Sequence, residues 1–287
     1  MSPEEGEVSL RISANQSQVI AKIFIWLAAL LVIVLLLTIL SYILIKGIPS
    51  ISWQFLSQIP SDMGRSGGVL SPIIGTLLVT LLATIVATPL GIGTALYLTE
   101  YTREGRVTRI IRFSAESLAG IPSIVYGLFG FIFFVIYLKF GWSILSGGLT
   151  LAVMILPTTI RTSEEAIRTV PNMYREVSYS LGGTKWQTIT RIVIPSALSG
   201  IATGVILGVG RCVAETAAVI LTVGSALSIP TSLFSPARTL AVHFYILASE
   251  GISPEKAYGT AALLIILILL INIAANILVN RFVAKRH

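Results

Sequence analysis

Composition, the length of the uncharged runs and the placement of the basic residues predict an all-α integral membrane protein. Six transmembrane helices are expected, with both termini in the cytoplasm. Of 287 residues, 54% are apolar and only 11% charged, and the mean hydropathy is +0.88. A soluble domain carries about 25% charged residues. A surface this poor in charge suits a chain solvated largely by lipid. The net charge of +7 would suggest nucleic acid in a soluble chain, but its distribution has another cause. With six spans, the tails and two of the loops carry 14 Lys and Arg residues. The opposite loops carry five: Lys46, Arg65, Lys139, Arg238 and Lys256. Basic residues accumulate on the cytoplasmic side, so the 14-residue side is expected there.

The elements follow in order. The N-terminal tail, residues 1–22, is acidic at Glu4, Glu5 and Glu7 and does not have the form of a cleaved signal peptide. Residues 23–45 are uncharged, with Trp26 and Tyr42 near the two ends. At about 1.5 Å per residue this run crosses a bilayer. Residues 47–68 form an outside loop containing Trp53. Residues 66–99 are uncharged and too long for one straight span. Pro89, Gly91 and Gly93 are expected to kink or interrupt it, either lining a cavity or simply packing. Arg103, Arg106, Arg109 and Arg112 recur at every third position. Because they join two spans, anionic lipid headgroups are their expected partner, not nucleic acid. A third span lies within 117–138 and a fourth within 140–160, with a turn at Gly147-Gly148. A fifth runs from Pro195 to near Val223. Residues 224–256 form an outside segment with an amphipathic piece around 239–247. Ser253-Pro254-Glu255 starts the sixth helix, with proline at the first helical position. Residues 257–280 are its uncharged run, and 281–287 form a basic tail.

The most polar long stretch is residues 171–195. Residues 172–181 contain no breaker and form a short helix. Gly182-Gly183 ends it, since glycine enters the left-handed conformation without steric cost. Thr184 and Gln187 have capping-box spacing for a second helix. Pro195 is expected to mark the next break. By the charge rule this lever lies in the cytoplasm.

Glu176-Val177-Ser178, three residues, Gly182, nine residues, then Ile192-Val-Ile194-Pro195 resembles the cytoplasmic signature of ABC importer permeases. That signature is Glu-Ala-Ala, three residues, Gly, nine residues, then Ile-x-Leu-Pro. The resemblance implies the type I importer permease fold over residues 23–280. It also implies that the helix docks into a separate ATPase. Tyr174, Arg175, Glu176, Val177, Leu181, Gly182, Ile192 and Pro195 are then the coupling residues.

Chemistry of its own is not expected. No phosphate-cradling Gly-x-x-x-x-Gly-Lys-Ser/Thr occurs. A single cysteine, Cys212, and two distant histidines, His243 and His287, suggest neither disulfide nor metal site. A non-catalytic transport subunit is expected, with ATP and Mg bound by the partner ATPase. In the fifth span, Arg211 and Glu215 stand four apart, so they share a helical face. They are either a packing ion pair or, with Thr216, part of a translocation path on which Arg211 offers forked donors to an oxyanion.

Further stretches resemble the phosphate-specific branch of these importers and its A-type permeases. They are Thr88-Pro-Leu-Gly, Tyr97-Leu-Thr-Glu-Tyr101, Pro122-Ser-Ile-Val-Tyr-Gly-Leu-Phe129, Ile160-Arg-Thr-Ser-Glu164, Tyr179-Ser-Leu-Gly, Lys185-Trp186, and Arg211 with Glu215-Thr216. Ala214 and Ala218 depart from the expected Gly and Pro, which puts local bending there in doubt. The resemblance implies phosphate import through a plasma-membrane heterodimer with a second permease, two ATPase copies and an extracytoplasmic phosphate-binding protein. A permease for sulfate or molybdate, and a membrane scaffold or channel without an ATPase, remain the alternatives.

Overall fold

The computed structural model describes residues 14–284. The chain divides into two units, residues 1–45 and 46–287. The first unit consists, where described, of one helix, α1 (Ala14–Gly47), whose last two residues belong to the second. The helix begins ahead of the expected span, so residues 14–22 of the expected tail are helical. Residues 1–13 lie outside the described residues. At about 1.5 Å per residue, the 34 residues of α1 exceed the hydrocarbon thickness, leaving its polar first turns beyond it.

The second unit is all-helical among the described residues apart from one isolated bridge, Ser61 to Ser66. Short α2 (Trp53–Ser57) is capped by Ser52, whose hydroxyl accepts from the Phe55 amide. Then come α3 (Leu70–Leu96), extended by a π-helical turn Tyr97–Tyr101, and α4 (Arg106–Ala119). Next are α5 (Ser123–Gly130), extended by a π-helical stretch Phe131–Tyr137, and α6 (Ile144–Arg168). After α7 (Asn172–Ser180) and α8 (Lys185–Thr188), a π-helical turn Ile189–Val193 leads into α9 (Ile194–Ala214). The chain closes with α10 (Ala217–Thr222), α11 (Leu240–Ser249) and α12 (Pro254–Ala284). Among the described residues five helices are long and apolar enough to span a membrane; α4 with α5 is a sixth candidate, bent by 103°. The bend falls at Ile121-Pro122, where the proline disfavours helical backbone in the residue before it.

Several local expectations change. Helix α3 runs on through Pro89 without interruption. Gly147 and Gly148 make no turn; they lie inside α6. A Cβ on Gly147 would collide with Cγ2 of Val223, and one on Gly148 would sit 2.5 Å from Cδ2 of Leu82. Their use is close approach, not reversal. Pro195 ends nothing: it occupies the first turn of α9, directly after the π-helical turn. A proline ring collides with the carbonyl four residues back in a regular helix, and the wider turn takes up that conflict. Helix α11 is not amphipathic. It buries Leu240, Val242, His243, Ile246 and Leu247, while its outer face carries Phe244 and Tyr245. The expected start of the last helix is present, with Ser253 Oγ accepting from the Lys256 amide at 3.4 Å.

The main core joins α3 (Val79, Ala83, Ala87), α6 (Leu151, Met154, Ile155) and α10 (Ala218, Val219). A second core of Ala95, Ile167, Val170, Val193, Ala197 and Ile201 lies where α3, α6 and α9 meet near α7. Large apolar residues such as Leu81 and Ile85 of α3 remain well exposed, 57% and 59%. That fits a helix whose outer face is solvated by lipid, where every backbone polar group is satisfied within the helix.

Candidate functional site

From Asn172 to Gln187 the lever has the form expected from its sequence, whereas its expected end at Pro195 is absent. Helix α7 ends at Ser180, and Gly182 takes φ +79°. The amides of Gly182 and Gly183 donate to the carbonyls of Tyr179 and Ser178 at 3.0 and 2.9 Å, closing the helix end. The capping box of α8 is complete: the Gln187 amide donates to Thr184 Oγ1 at 3.3 Å and the Thr184 amide to Gln187 Oε1 at 2.9 Å. Ser178 and Thr188 join their hydroxyls across the elbow at 2.8 Å, both buried.

The two faces of α7 differ. Met173, Val177 and Leu181 succeed one another at four-residue spacing and are 62%, 53% and 84% exposed. Tyr174, Glu176 and Tyr179 are exposed beside them. The inner face carries Arg175 and Ser178. Arg175 Nε and Nη2 donate to Glu100 Oε1 at 3.1 and 2.7 Å. Its Nη1 and Nη2 also donate to the carbonyls of Val170 and Ile167 at 2.8 and 3.2 Å. Beside this pair, Lys185 Nζ stands 4.8 Å from the centre of the Tyr101 ring. Ile192 and Pro195 are half-buried on the helix that follows. Thus Tyr174, Glu176, Val177 and Leu181 share an outward surface, whereas Arg175 faces the spans.

The arginine stripe also divides. Arg103, Arg106 and Arg109 are exposed, with Val107, Ile110 and Phe113 exposed beside them. Arg112 turns inward to Glu164, Nε to Oε1 at 2.8 Å, and Arg168 reaches the same oxygen at 2.9 Å. This pins α4 to α6.

Helical spacing does not bring Arg211 and Glu215 together. Helix α9 ends at Ala214, and Glu215 is extended at φ −73°, ψ 128°. Its Oε1 accepts from the Ala218 amide at 3.2 Å, helping to cap α10. The two make no ion pair among the described residues; Arg211 is half-buried, without a hydrogen bond or ion pair there. Thr216 sits between the two helices and its side chain does not cap α10. The span is therefore broken beside Arg211, in spite of Ala214 and Ala218.

A second polar cluster was hidden in the sequence. Arg238 is 3% exposed and His243 1%. Arg238 donates to the carbonyls of Ser225 and Met63 at 2.9 and 3.5 Å and lies 3.4 Å from Nδ1 of His243. His243 closes on Gly64: a Cβ there would sit 2.7 Å from the imidazole Cε1. The cluster holds a turn in which Asp62 and Met63 are left-handed, φ 48° and 59°. Such backbone costs these residues of order 1 kcal/mol each. No signal short of the fold points to this cluster, because Arg238 and Met63 lie 175 residues apart.

Residues 87–287 match the family model described as the binding-protein-dependent transport system inner membrane component. A probable ABC transporter permease protein of Bacillus subtilis, YqgI, is 35% identical over 266 residues, covering 87% of this chain and 90% of that protein. The phosphate transport system permease protein PstA 1 of Mycobacterium tuberculosis is 40% identical over 227 residues, 77% of this chain and 73% of that one. In fold, the chain is similar to a subunit of a bacterial alginate ABC transporter crystallised with its alginate pentasaccharide-bound periplasmic protein. The TM-score there is 0.65 at 17% identity, covering 93% of this chain and 97% of that one. With a type I importer fold and a family match over most of its length, the chain belongs to the binding-protein-dependent inner-membrane components, the permease subunits of ABC importers.

Proposed function

We propose that this permease carries inorganic phosphate into the cytoplasm, driven by a separate ATPase that docks on α7. The observation that carries the anion is Arg211. Arg211 lies in the last turn of α9, at the break in the fifth span, and a charge held within a span is costly unless it finds a partner. No carboxylate of this chain offsets that cost among the described residues, since Glu215 turns to α10. A planar, permanently charged fork beside a broken helix suits an oxyanion. The relatives named as phosphate permeases favour phosphate over sulfate or molybdate.

The exposed ridge of Met173, Val177 and Leu181 supplies an apolar surface for the ATPase cleft. ATP and Mg then bind to that partner, and the spans alternate between inward and outward openings as α7 moves. A second permease completes the path, and an extracytoplasmic binding protein delivers phosphate. The exposed arginines of α4 face anionic lipid headgroups. In this reading the chain is not itself catalytic, and both termini are cytoplasmic.

The test is uptake of radiolabelled phosphate by the complete complex in liposomes, with ATP inside and binding protein outside. Phosphate uptake that requires ATP and resists excess sulfate and molybdate is expected. Competition by either oxyanion would shift the substrate to that ion. Uptake independent of ATP would mean a channel.

A further inference from the structure

Helix α7 has almost no apolar seat on its own chain: Ser178 is its one buried residue. Its mechanical connection to the spans must therefore run largely through polar contacts. The strongest of these is the Arg175 guanidinium. It reaches Glu100 at the end of the span formed by α3, the carbonyls of Ile167 and Val170 at the end of α6, and Asn172 at the start of α7. Side-chain exposures of Arg175 and Glu100 are only 15% and 6%. Three separate segments converge on one side chain.

We infer that the Arg175–Glu100 pair is the joint that makes the second span move with the docking helix. The inference rests on α7 being the ATPase-docking element. Its content is distinct: Arg175 acts within the permease, downstream of docking, as a positioning residue. A buried pair resists separation, because parting it leaves a desolvated charge alone. Displacement of α7 therefore carries Glu100 with it. Glu100 lies in the π-helical turn 97–101, continuous with α3 and its 27 residues. The Lys185–Tyr101 contact adds a second tie between the same two regions. Fixing α7 at both Arg175 and the α8 side allows a tilt of the lever to act on the span as a whole.

The experiment uses the complete complex in liposomes and reads three quantities: ATPase co-purified with the permease, ATP hydrolysed, and inorganic phosphate taken up per ATP. In the paired variant Glu100→Leu with Arg175→Met, no charge is left alone. ATPase binding and hydrolysis should persist while phosphate taken up per ATP falls about ten-fold. Arg175→Lys keeps the charge but loses the fork, so its ratio should lie between the two. Leu181→Asp, on the outer face of α7, should instead remove the ATPase. If Leu181→Asp keeps the ATPase, the docking assignment of α7 fails. An unchanged ratio in the paired variant overturns the joint. So does failure of both the paired variant and Glu100→Gln to assemble, because the pair would then serve only the fold.

Discussion

Ser178 Oγ and Thr188 Oγ1 lie 2.8 Å apart, both buried, on opposite sides of the Gly182-Gly183 elbow. The bond fixes the angle between α7 and the helix beginning at α8. Thr188 Oγ1 also donates to the Thr184 carbonyl at 3.1 Å, so it is removal of Thr188 that leaves its partner, the buried Ser178 hydroxyl, without this bond. Thr188→Val should therefore cost about 1–3 kcal/mol locally and weaken ATPase association, whereas Ser178→Ala with Thr188→Val should restore most of it. Co-purification of the ATPase from detergent measures this. Equal losses in single and double variants would mean that the bond does not set the elbow.

At the elbow itself, Gly182 has open space around its missing Cβ and φ +79°. Strain, not collision, opposes substitution there. Gly182→Ala should cost about 1 kcal/mol and Gly182→Val more, since β-branching is poorly tolerated at positive φ. Gly182→Val should insert in the membrane but show reduced ATPase association and uptake. Normal values for both would remove the elbow from the coupling mechanism.

Gly147 tests the close approach of α6 and α10. Gly147→Ala brings a methyl into collision with Val223 Cγ2, and overpacking of this kind costs about 1–3 kcal/mol. Adding Val223→Ala removes that methyl and should recover part of the loss. The thermal midpoint of the detergent-solubilised complex reads the difference. Additive losses would count against direct contact.

His243 gives a pH dependence. Burial first, then the charges of Arg238 and Lys256, push its imidazole from 6.5 down to about 4. The folded chain thus holds the neutral ring, while the unfolded chain takes up a proton below its ordinary value. The contribution is fully present above pH 6.5 and is lost as pH falls through about 4. In total it is roughly 3 kcal/mol. His243→Asn should have a thermal midpoint less sensitive to acid between pH 7 and pH 4.5. The same acid sensitivity in that variant would assign it elsewhere.

What the sequence disclosed here was local. The Gly182 elbow, the Thr184–Gln187 box and the Ser253-Pro254 start depend on residues within a few positions, so their chemistry is visible in order. Gly147-Gly148 misled because glycine serves a turn and a tight helix contact equally well, and only Val223 and Leu82 decide between them. Pro195 misled because a wider turn upstream can absorb a proline inside a longer helix. Arg211 and Glu215 misled because four-residue spacing joins side chains only while the helix continues, and here it stops at Ala214. The Glu100–Arg175 pair spans 75 residues and exists only in the fold.

The break at Glu215 changes what Arg211 variants should do. If the two side chains were a pair, Arg211→Met would leave Glu215 alone, and the double change with Glu215→Leu would be better tolerated. They do not touch, so the losses in stability should add to within about 0.5 kcal/mol. Glu215→Leu should cost about 1 kcal/mol by removing the acceptor for the Ala218 amide. Arg211→Met should assemble normally, because no carboxylate depends on it among the described residues. Its deficit should lie in transport. Losing a desolvated contact to an anion is worth roughly 2 kcal/mol or more, a fall in phosphate uptake on the order of 30-fold. Arg211→Lys should fall between, since a point charge replaces a planar fork. Phosphate uptake per assembled complex in Arg211→Met decides the matter. Uptake near wild type would sink the anion-binding role and leave Arg211 to the packing of the broken span.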